Sequence, residues 1–161
     1  MITLIKLDKY GFANKKFDFI VDEHQFDMND AYHAVEFRFG DKIINVGIKS
    51  GTVGIDPQVE LYREHLLIGM GGSFNVYKLN GELVKSYEVF YVFHEFLIKN
   101  ECILVVGELG LFLLNSSFEK KWEKDFNEII GLIEVKDNFI LLEDFNGKKI
   151  KLNFNTGTKI K

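Results

Sequence analysis

The second half of this sequence repeats itself at an interval of 35 to 38 residues. Residues 76–88, VYKLNGELVKSYE, align with residues 111–123, LFLLNSSFEKKWE, and a third copy, KIKLNFNTGTKIK, ends the sequence. Each copy follows an apolar run, and each contains a Leu-Asn pair: Leu79-Asn80, Leu114-Asn115 and Leu152-Asn153. A unit of this length cannot bury a hydrophobic face alone, so the repeat predicts copies of one supersecondary unit stacked against each other.

Apolar and polar residues alternate with a period of two, which is typical of β-strands. In residues 34–39, AVEFRF, the alternation places Val35, Phe37 and Phe39 on one face of a strand. Turn signals separate such runs: Phe39-Gly40-Asp41, Lys49-Ser50-Gly51, Gly71-Gly72-Ser73, Asn80-Gly81 and Asn146-Gly147. Asn-Gly favours the type I′ hairpin turn, in which both central residues have positive φ. The pattern therefore predicts an all-β fold built from antiparallel sheets.

Each unit reads as four short strands joined by hairpins, which is the size of one propeller blade. Residues 57–161 resemble the WD-repeat and quinoprotein-like β-propellers, whose outer strands often carry an aromatic residue, Leu-Asn, a glycine and then a tryptophan. The Gly-His and Trp-Asp signatures of WD repeats are missing. The resemblance implies that residues 57–161 form three propeller-blade-like repeats.

The length of 161 residues predicts a single domain over 1–161. Within it we expect an N-terminal β-hairpin region at 1–56 and the repeats at 57–161. Closed propellers have at least four blades, so three repeats favour an open or incomplete propeller. The N-terminal hairpins would then cap a sheet edge that would otherwise be exposed.

Residues 116–130, SSFEKKWEKDFNEII, satisfy two patterns at once. They begin with Ser-x-x-Glu, a helix-capping pattern, and place Phe118, Trp122 and Phe126 on one helical face. Alignment with residues 81–95 of the sister repeat indicates a strand instead. We predict a strand.

An acidic segment stands out between residues 17 and 37, which hold six carboxylates and no lysine or arginine. Apolar side chains ringed by charge of one sign suit a protein interface, where charge steers the encounter and apolar anchors hold it. The predicted partner-binding residues are Asp22, Glu23, Phe26, Asp27, Met28 and Asp30. A calcium loop would need a central glycine and a closing glutamate that this segment lacks.

No recognisable catalytic, cofactor or metal motif is present. Residues 69–73, GMGGS, lack the spacing of a phosphate-binding loop and read as a hairpin turn. His94-Glu95 opens like a zinc-protease motif, but Ile98 occupies the position of the second histidine. His24, His33 and His65 have no partner at ligand spacing and are predicted to be surface or half-buried strand residues. Cys102 is predicted to be a buried core thiol.

Five lysines, Lys148, Lys149, Lys151, Lys159 and Lys161, lie in the last fifteen residues without an acid among them. Such a surface can track phosphates, yet the chain carries a net charge of −4, which opposes a polyanion. We interpret the lysines as protection of a sheet edge and expect no nucleic-acid partner.

The absence of an apolar run near the roughly 18 residues of a membrane span predicts no membrane partner. The start, MITLIKLDKYGF, does not resemble a signal peptide, and Cys102 is the single cysteine. These features predict a cytoplasmic protein.

A compact repeated β scaffold without a catalytic constellation favours a non-enzymatic, protein-binding role with no cofactor. By analogy, we hypothesise a bacterial immunity protein that neutralises a basic cognate toxin, such as a nuclease. Two alternatives stay open. One is a propeller-like scaffold or regulatory module that binds a peptide or subunit, and the other is a hydrolase with a site assembled across sheets.

Overall fold

The computed structural model describes residues 2–23, 31–51 and 55–160, and almost all of the regular structure in them is β-sheet. In chain order the elements are β1 (Ile2–Leu7), α1 (Lys9–Asn14), β2 (Phe19–Asp22), β3 (Ala31–Phe39), β4 (Lys42–Ser50), β5 (Gln58–Tyr62), β6 (His65–Met70), β7 (Ser73–Lys78), β8 (Leu83–Glu88), β9 (Phe93–Lys99), β10 (Cys102–Gly107), β11 (Gly110–Leu114), β12 (Lys120–Asp125), β13 (Ile130–Val135), β14 (Phe139–Asp144) and β15 (Lys149–Asn153). The predicted all-β class is confirmed. Among these residues, no helix combines the length and apolar character needed to cross a membrane.

The N-terminal strands form sheet A, with the strand order β1-β3-β4-β2. The hairpin β3–β4 is its centre, and Gly40, with φ of 60°, turns the chain as predicted. Strand β1 pairs with β3 in the antiparallel sense, whereas β2 runs parallel to β4. The parallel pair and α1, which follows its N-cap Asp8, were not predicted. The predicted turn at Lys49-Ser50-Gly51 is wrong for its first two residues, because β4 extends through Ser50.

The three repeats form three separate sheets of consecutive strands. Sheet B has the order β5-β6-β7-β8, sheet C the order β9-β10-β11-β12, and sheet D the order β13-β14-β15. The apolar runs HLLIGM and CILVVG coincide with β6 and β10. In sheet D an isolated bridge from Leu152 to Lys159 continues the pairing beyond β15. The blade-like repeats are therefore confirmed, with three strands in the last sheet among the described residues.

The repeated asparagine lies at or just beyond the end of the third strand of each sheet, beside the turn that follows. The Oδ1 of Asn115 accepts hydrogen bonds from the backbone N–H groups of Ser117 and Glu119, each at 2.9 Å. The Oδ1 of Asn153 does the same for Asn155 at 2.9 Å and Thr156 at 3.1 Å. Since asparagine side chains favour such turns by bonding nearby backbone groups, the Leu-Asn repeat marks the same turn in every unit.

Replacing Asn153 by alanine should lower the free energy of unfolding by about 1 kcal/mol, because two backbone donors lose their acceptor. The measurement is urea unfolding followed by tryptophan fluorescence. Asn153→Asp is the matched control, since a carboxylate keeps the acceptor; Asp144 already accepts from the N–H groups of Asn146 and Lys148 in another turn. Equal stability of the alanine and aspartate variants would contradict this role for the asparagine.

The alignment of residues 76–88 with 111–123 places Tyr87 at the same position as Trp122. The structure shows that both residues have a structural role. The phenol of Tyr87 donates a hydrogen bond to the backbone carbonyl of Phe118, and the indole Nε1 of Trp122 donates to the carbonyl of Phe154 at 3.0 Å. Tyr87 of β8 and Trp122 of β12 therefore each contact a turn of the following repeat. A buried tyrosine or tryptophan needs such a partner for its polar atom.

Residues 120–125 form strand β12, as predicted in preference to a helix. The strand pairs with β11, and the Trp122 ring lies against Gly157, where a Cβ atom would come within 2.6 Å of the ring. Because Gly157 has φ of 67°, glycine is suited to this position for both reasons. Tertiary pairing thus outweighs the helical pattern of the segment.

The described chain divides into two compact units. The first comprises Met1–Gly71 with Asn75–Ser86, and the second Gly72–Phe74 with Tyr87–Lys161. In the first unit, sheet A packs on β6 through a core of buried residues: Val21, Val35, Phe37, Ile44, Val46, Ile48, Leu66, Ile68 and Met70. In the second unit, sheets C and D pack through another core: Leu104, Val106, Leu111, Leu113, Ile130, Ile140, Leu142, Ile150, Leu152 and Phe154. The single-domain assignment for 1–161 stays a prediction.

Candidate binding groove

A cavity of 650 Å³ opens in the first unit at one end of the core between sheets A and B. Apolar side chains predominate in its wall, and three polar residues complete it. The lining residues, hereafter the groove, are Asp18, Phe19, Phe39, Lys42, Ile43, Ile44, Leu79 and Asn80. The volume lies within the range of about 300–1,000 Å³ that is usual for ligand pockets.

The tip of the β3–β4 hairpin forms one wall of the groove. The period-two pattern placed Phe39 on the buried face with Val35 and Phe37, but Phe39 is exposed because it lies at the last residue of the strand. Ile43, on the returning strand, is 47% exposed. The hairpin tip therefore presents two large apolar side chains that the core does not cover.

The opposite wall comes from the turn between β7 and β8 together with the start of β2. Gly81 has φ of 87°, and a Cβ atom there would lie 2.7 Å from the Phe19 ring. The Asn80-Gly81 turn thus needs glycine both for its backbone conformation and for the close approach of Phe19. This contact fixes the aromatic floor of the groove.

The polar rim is positioned by backbone hydrogen bonds. The N–H of Asp18 donates to the carbonyl of Asn45 at 2.8 Å, and the carboxylate of Asp18 accepts from the N–H of Asn45 at 2.7 Å. Lys42 is exposed on the hairpin side. The rim therefore carries one fixed carboxylate and one exposed ammonium group on a flexible stem.

Below the groove lies Tyr77, whose ring centroid is 6.1 Å from that of Phe19. Burial raises the pKa of the Tyr77 phenol above its ordinary value of 10.0 because the ionised form loses its hydration. The phenol is uncharged at neutral pH, so the floor of the groove is aromatic and neutral.

Strand β2 borders the groove and lies at the edge of sheet A. Among the described ranges, no strand pairs with β2 on the side away from β4. Its central residue Ile20 is exposed. An edge strand presents N–H and C=O groups to which an extended peptide can add.

The structure describes two of the six predicted partner-binding residues. Asp22 lies 3.9 Å from the ammonium of Lys49. Glu23 is half-buried, accepts a hydrogen bond from the hydroxyl of Ser50 at 3.1 Å and lies directly over Gly71. Phe26, Asp27, Met28 and Asp30 fall outside the described residues. The acidic interface stays a prediction, and the two acids that are placed interact with residues of the same chain.

The histidines occupy three different environments. His33 is only 1% exposed, so its prediction as a surface or half-buried residue is wrong. Its Nε2 lies 3.1 Å from the carboxylate of Asp56, and its Nδ1 has no hydrogen-bond partner. His65 is half-buried and His94 is exposed, as predicted, whereas His24 lies outside the described residues.

Other predicted features take simple structural roles. Cys102 is half-buried at the start of β10 and packs against the core of the second unit, so it is not the fully buried thiol that was predicted. Residues 71–72 form the hairpin turn between β6 and β7, as predicted for the glycine-rich segment. In the part of the chain that the structure describes, no three His, Cys, Asp or Glu residues form a group that could hold a metal ion.

The groove was not predicted from the sequence, because its residues come from three distant segments of the chain. The turn signals at Phe39-Gly40-Asp41 and Asn80-Gly81 border the groove, but they predicted only hairpins. A surface with a hairpin tip on one side and an edge strand beside it becomes visible only after the sheets pack.

The solved structures that are similar to this chain in fold include one designed protein and two natural ones. The designed protein Ika8 has a TM-score of 0.56 at 14% identity, over 85% of this chain and 46% of that one. BamB from Moraxella catarrhalis has a TM-score of 0.53 at 14% identity, over 100% and 51%. The WD40 domain of Neurospora crassa Pan2 has a TM-score of 0.51 at 14% identity, over 65% and 36%.

These similarities show that the sheets are propeller-like, as the sequence resemblance implied. The chain spans about a third to a half of the length of the structures it matches. No protein-family model matches the sequence, and no curated protein is detectably similar to it.

Proposed function

We propose that this chain is a non-enzymatic, propeller-type module that binds an extended segment of a partner protein in the groove. The observation that carries the proposal is the combination of an apolar cavity with an exposed edge strand at its border. Propeller-like neighbours support a scaffold role at the level of fold.

The two features would act together on one ligand. Backbone groups of β2 supply hydrogen bonds that are independent of the peptide sequence, while the cavity accepts an apolar side chain and so supplies specificity. Phe39 and Ile43 provide exposed apolar area at the hairpin tip. Lys42 favours a carboxylate on the peptide beside the anchored side chain.

A binding role is also supported by the chemistry of the lining. The groove residues contain no histidine, cysteine or serine, and general acid–base or nucleophilic catalysis relies most often on such groups. The carboxylate of Asp18 is committed to the N–H of Asn45. The hydrolase hypothesis would therefore require a site elsewhere in the chain.

The narrower immunity-protein hypothesis depends on the acidic segment rather than on the groove. None of the compared structures supports a toxin as the partner, so this idea is secondary to the scaffold proposal. Charge reversal at Asp22, Glu23, Asp27 and Asp30 tests it, because a steering surface of this kind loses affinity when its charge is inverted.

Ile43→Glu should weaken binding of peptides selected for the groove by about tenfold or more, because a carboxylate would have to be desolvated against Phe39 and Phe19. Peptides are selected from a random display library on the wild-type protein, and their affinities are measured by isothermal titration calorimetry.

The matched control is Ile5→Glu, since Ile5 is an isoleucine of the same sheet with a similar exposure of 43% but lies on the opposite edge strand. The affinity of the Ile5→Glu variant for the selected peptides should stay within about twofold of the wild-type affinity. Hydrogen exchange of the β2 amides should slow when peptide is bound. The proposal would be refuted if the selected peptides bound the Ile43→Glu variant as tightly as the wild-type protein. It would also be refuted if peptide binding did not slow the hydrogen exchange of the β2 amides.

A further inference from the structure

Sheet D has one covered face and one open face. Its inward residues, including Leu142, Ile150 and Leu152, belong to the core that it shares with sheet C. On the outward face Ile133 is exposed, and a Cβ atom added at Gly131 would meet no atom nearer than 4.0 Å. The outward face of sheet D is therefore uncovered among the described residues.

The outward face of sheet A, by contrast, is covered by aromatic side chains. On its outward face the rings of Phe12 and Phe17 lie over Gly47, where an added Cβ atom would come within 2.9 Å of each. The Phe12 ring also contacts Tyr32 at a centroid distance of 5.1 Å. The first sheet thus carries its own aromatic cover, and the last sheet has none in the described chain.

The outward face of sheet D is arranged by charge from one edge to the other. The register places Glu134 of β13 beside Leu141 of β14, and Leu141 beside Lys151 of β15. A second row runs from Gly131 through Glu143 to Lys149. Phe139 lies at the end of the central strand, with the Lys151 ammonium 4.3 Å from its ring centroid. The face therefore has a carboxylate on its β13 edge and lysines on its β15 edge, and its central strand presents Phe139 and Leu141 beside the carboxylate of Glu143.

We propose that a second copy of this chain packs on the outward face of sheet D, in a two-fold arrangement with its axis parallel to the strands. Such an axis places β15 of each copy over β13 of the other, so that Lys151 faces Glu134 twice. Leu141, Phe139 and Ile133 of the two copies then meet in the centre. A two-fold interface requires a surface that is complementary to itself. This axis forms two lysine–glutamate contacts, against one like-charge contact where Glu143, which lies beside Lys149 in its own sheet, faces its symmetry mate.

Charge also selects this axis over the alternative. An axis that crosses the strands would place β15 over β15, so that the lysines at 149 and 151 of one copy face those of the other. Like charges in that position would repel. Aligned packing of two sheets keeps the strand directions within about 30°, which is compatible with the favoured axis.

The ion pair that Glu134 forms within its own sheet does not prevent Glu134 from pairing with the second copy. Glu134 is 3.1 Å from the ammonium of Lys136, and both side chains are exposed. Exposed ion pairs of this kind contribute little to stability. Glu134 can therefore share its charge with Lys151 of the second copy at little cost.

The area of the face sets the expected strength of association. Three strands about 4.8 Å apart and six residues at about 3.3 Å each give a face of roughly 250–300 Å², below the ~800 Å² per partner of a standard interface. The dimer is therefore weak and concentration-dependent, and it is measured by sedimentation equilibrium of the full chain at up to about 1 mM.

The test exchanges the charges across the proposed axis. Glu134→Lys alone places lysine against lysine at both contacts, and Lys151→Glu alone places glutamate against glutamate. The dissociation constant of the dimer should rise by about tenfold or more in each single variant. An equimolar mixture of the two variants should form a mixed dimer as strong as the wild-type one, because both contacts again pair lysine with glutamate.

Leu141→Glu should abolish the dimer, and circular dichroism confirms that each variant remains folded. Lys121→Glu is the matched control, since Lys121 is an exposed lysine of β12 in another sheet, and its dimerisation should equal that of wild type. A chain that stays monomeric at all concentrations would overturn the proposal. A dimer that is indifferent to residues 134, 141 and 151, or single variants that are not rescued by mixing, would overturn it as well. Peptide binding in the groove is measured separately, so the two proposals succeed or fail independently.

Discussion

Replacing Phe37 by alanine should lower the free energy of unfolding by about 3–5 kcal/mol. The Phe37 side chain is only 1% exposed and lies in the core that joins sheet A to β6. The substitution removes a ring from a close-packed site and leaves a cavity that the surrounding core residues fill only in part. The measurement is equilibrium unfolding in urea, monitored by far-ultraviolet circular dichroism.

Phe145→Ala is the matched control for this prediction. Phe145 lies in the turn between β14 and β15 and is 78% exposed, so the same truncation should change the stability by no more than about 0.5 kcal/mol. If both variants lost similar stability, the assignment of Phe37 to a packed core would be wrong.

Gly110→Ala should destabilise the second unit by about 3 kcal/mol, at the upper end of what overpacking usually costs. An added Cβ atom would lie 2.5 Å from the Phe90 ring and 2.6 Å from the backbone carbonyl oxygen of Lys124. The ring can rotate, but the carbonyl belongs to β12, which pairs with Gly110 at its end. The strands must separate, which is why a single methyl group has a large effect.

The outcome at Gly110 is judged against Gly131→Ala, the same change in a strand where an added Cβ atom meets nothing nearer than 4.0 Å. That variant should be as stable as wild type or slightly more stable, because alanine restricts the unfolded chain more than glycine does. Urea unfolding of both variants provides the comparison. Indistinguishable midpoints would contradict the close packing of β11 on Phe90.

Local patterns predicted the repeated part of the fold well. The apolar runs at 65–70 and 102–107 became β6 and β10 residue for residue, because the central strands of stacked sheets are buried on both faces and leave little freedom in register. The Leu-Asn pairs marked equivalent turns, since the asparagine side chain bonds the backbone within four residues of itself. Such short-range interactions depend little on the rest of the chain.

Predictions that depended on distant segments were less successful. The pairing of β2 beside β4 joins residues that are more than 20 positions apart, and no turn signal encodes it. His33 was predicted to be a surface or half-buried residue because an isolated histidine carries no periodic signal, but β3 places it on the face that packs into the core. The groove has the same origin, since Phe19, Ile43 and Leu79 meet only when sheets A and B pack.

The sequence by itself determined the class of the fold and the number of repeated units, because period-two alternation and hairpin turns are properties of neighbouring residues. It also aligned Tyr87 with Trp122, without indicating the backbone carbonyls to which they donate. Only the tertiary structure decided which faces and edges stay uncovered: the groove beside β2 and the outward face of sheet D. Exposure is a property of the packed sheets and not of any single strand, and surfaces available for binding are therefore decided last.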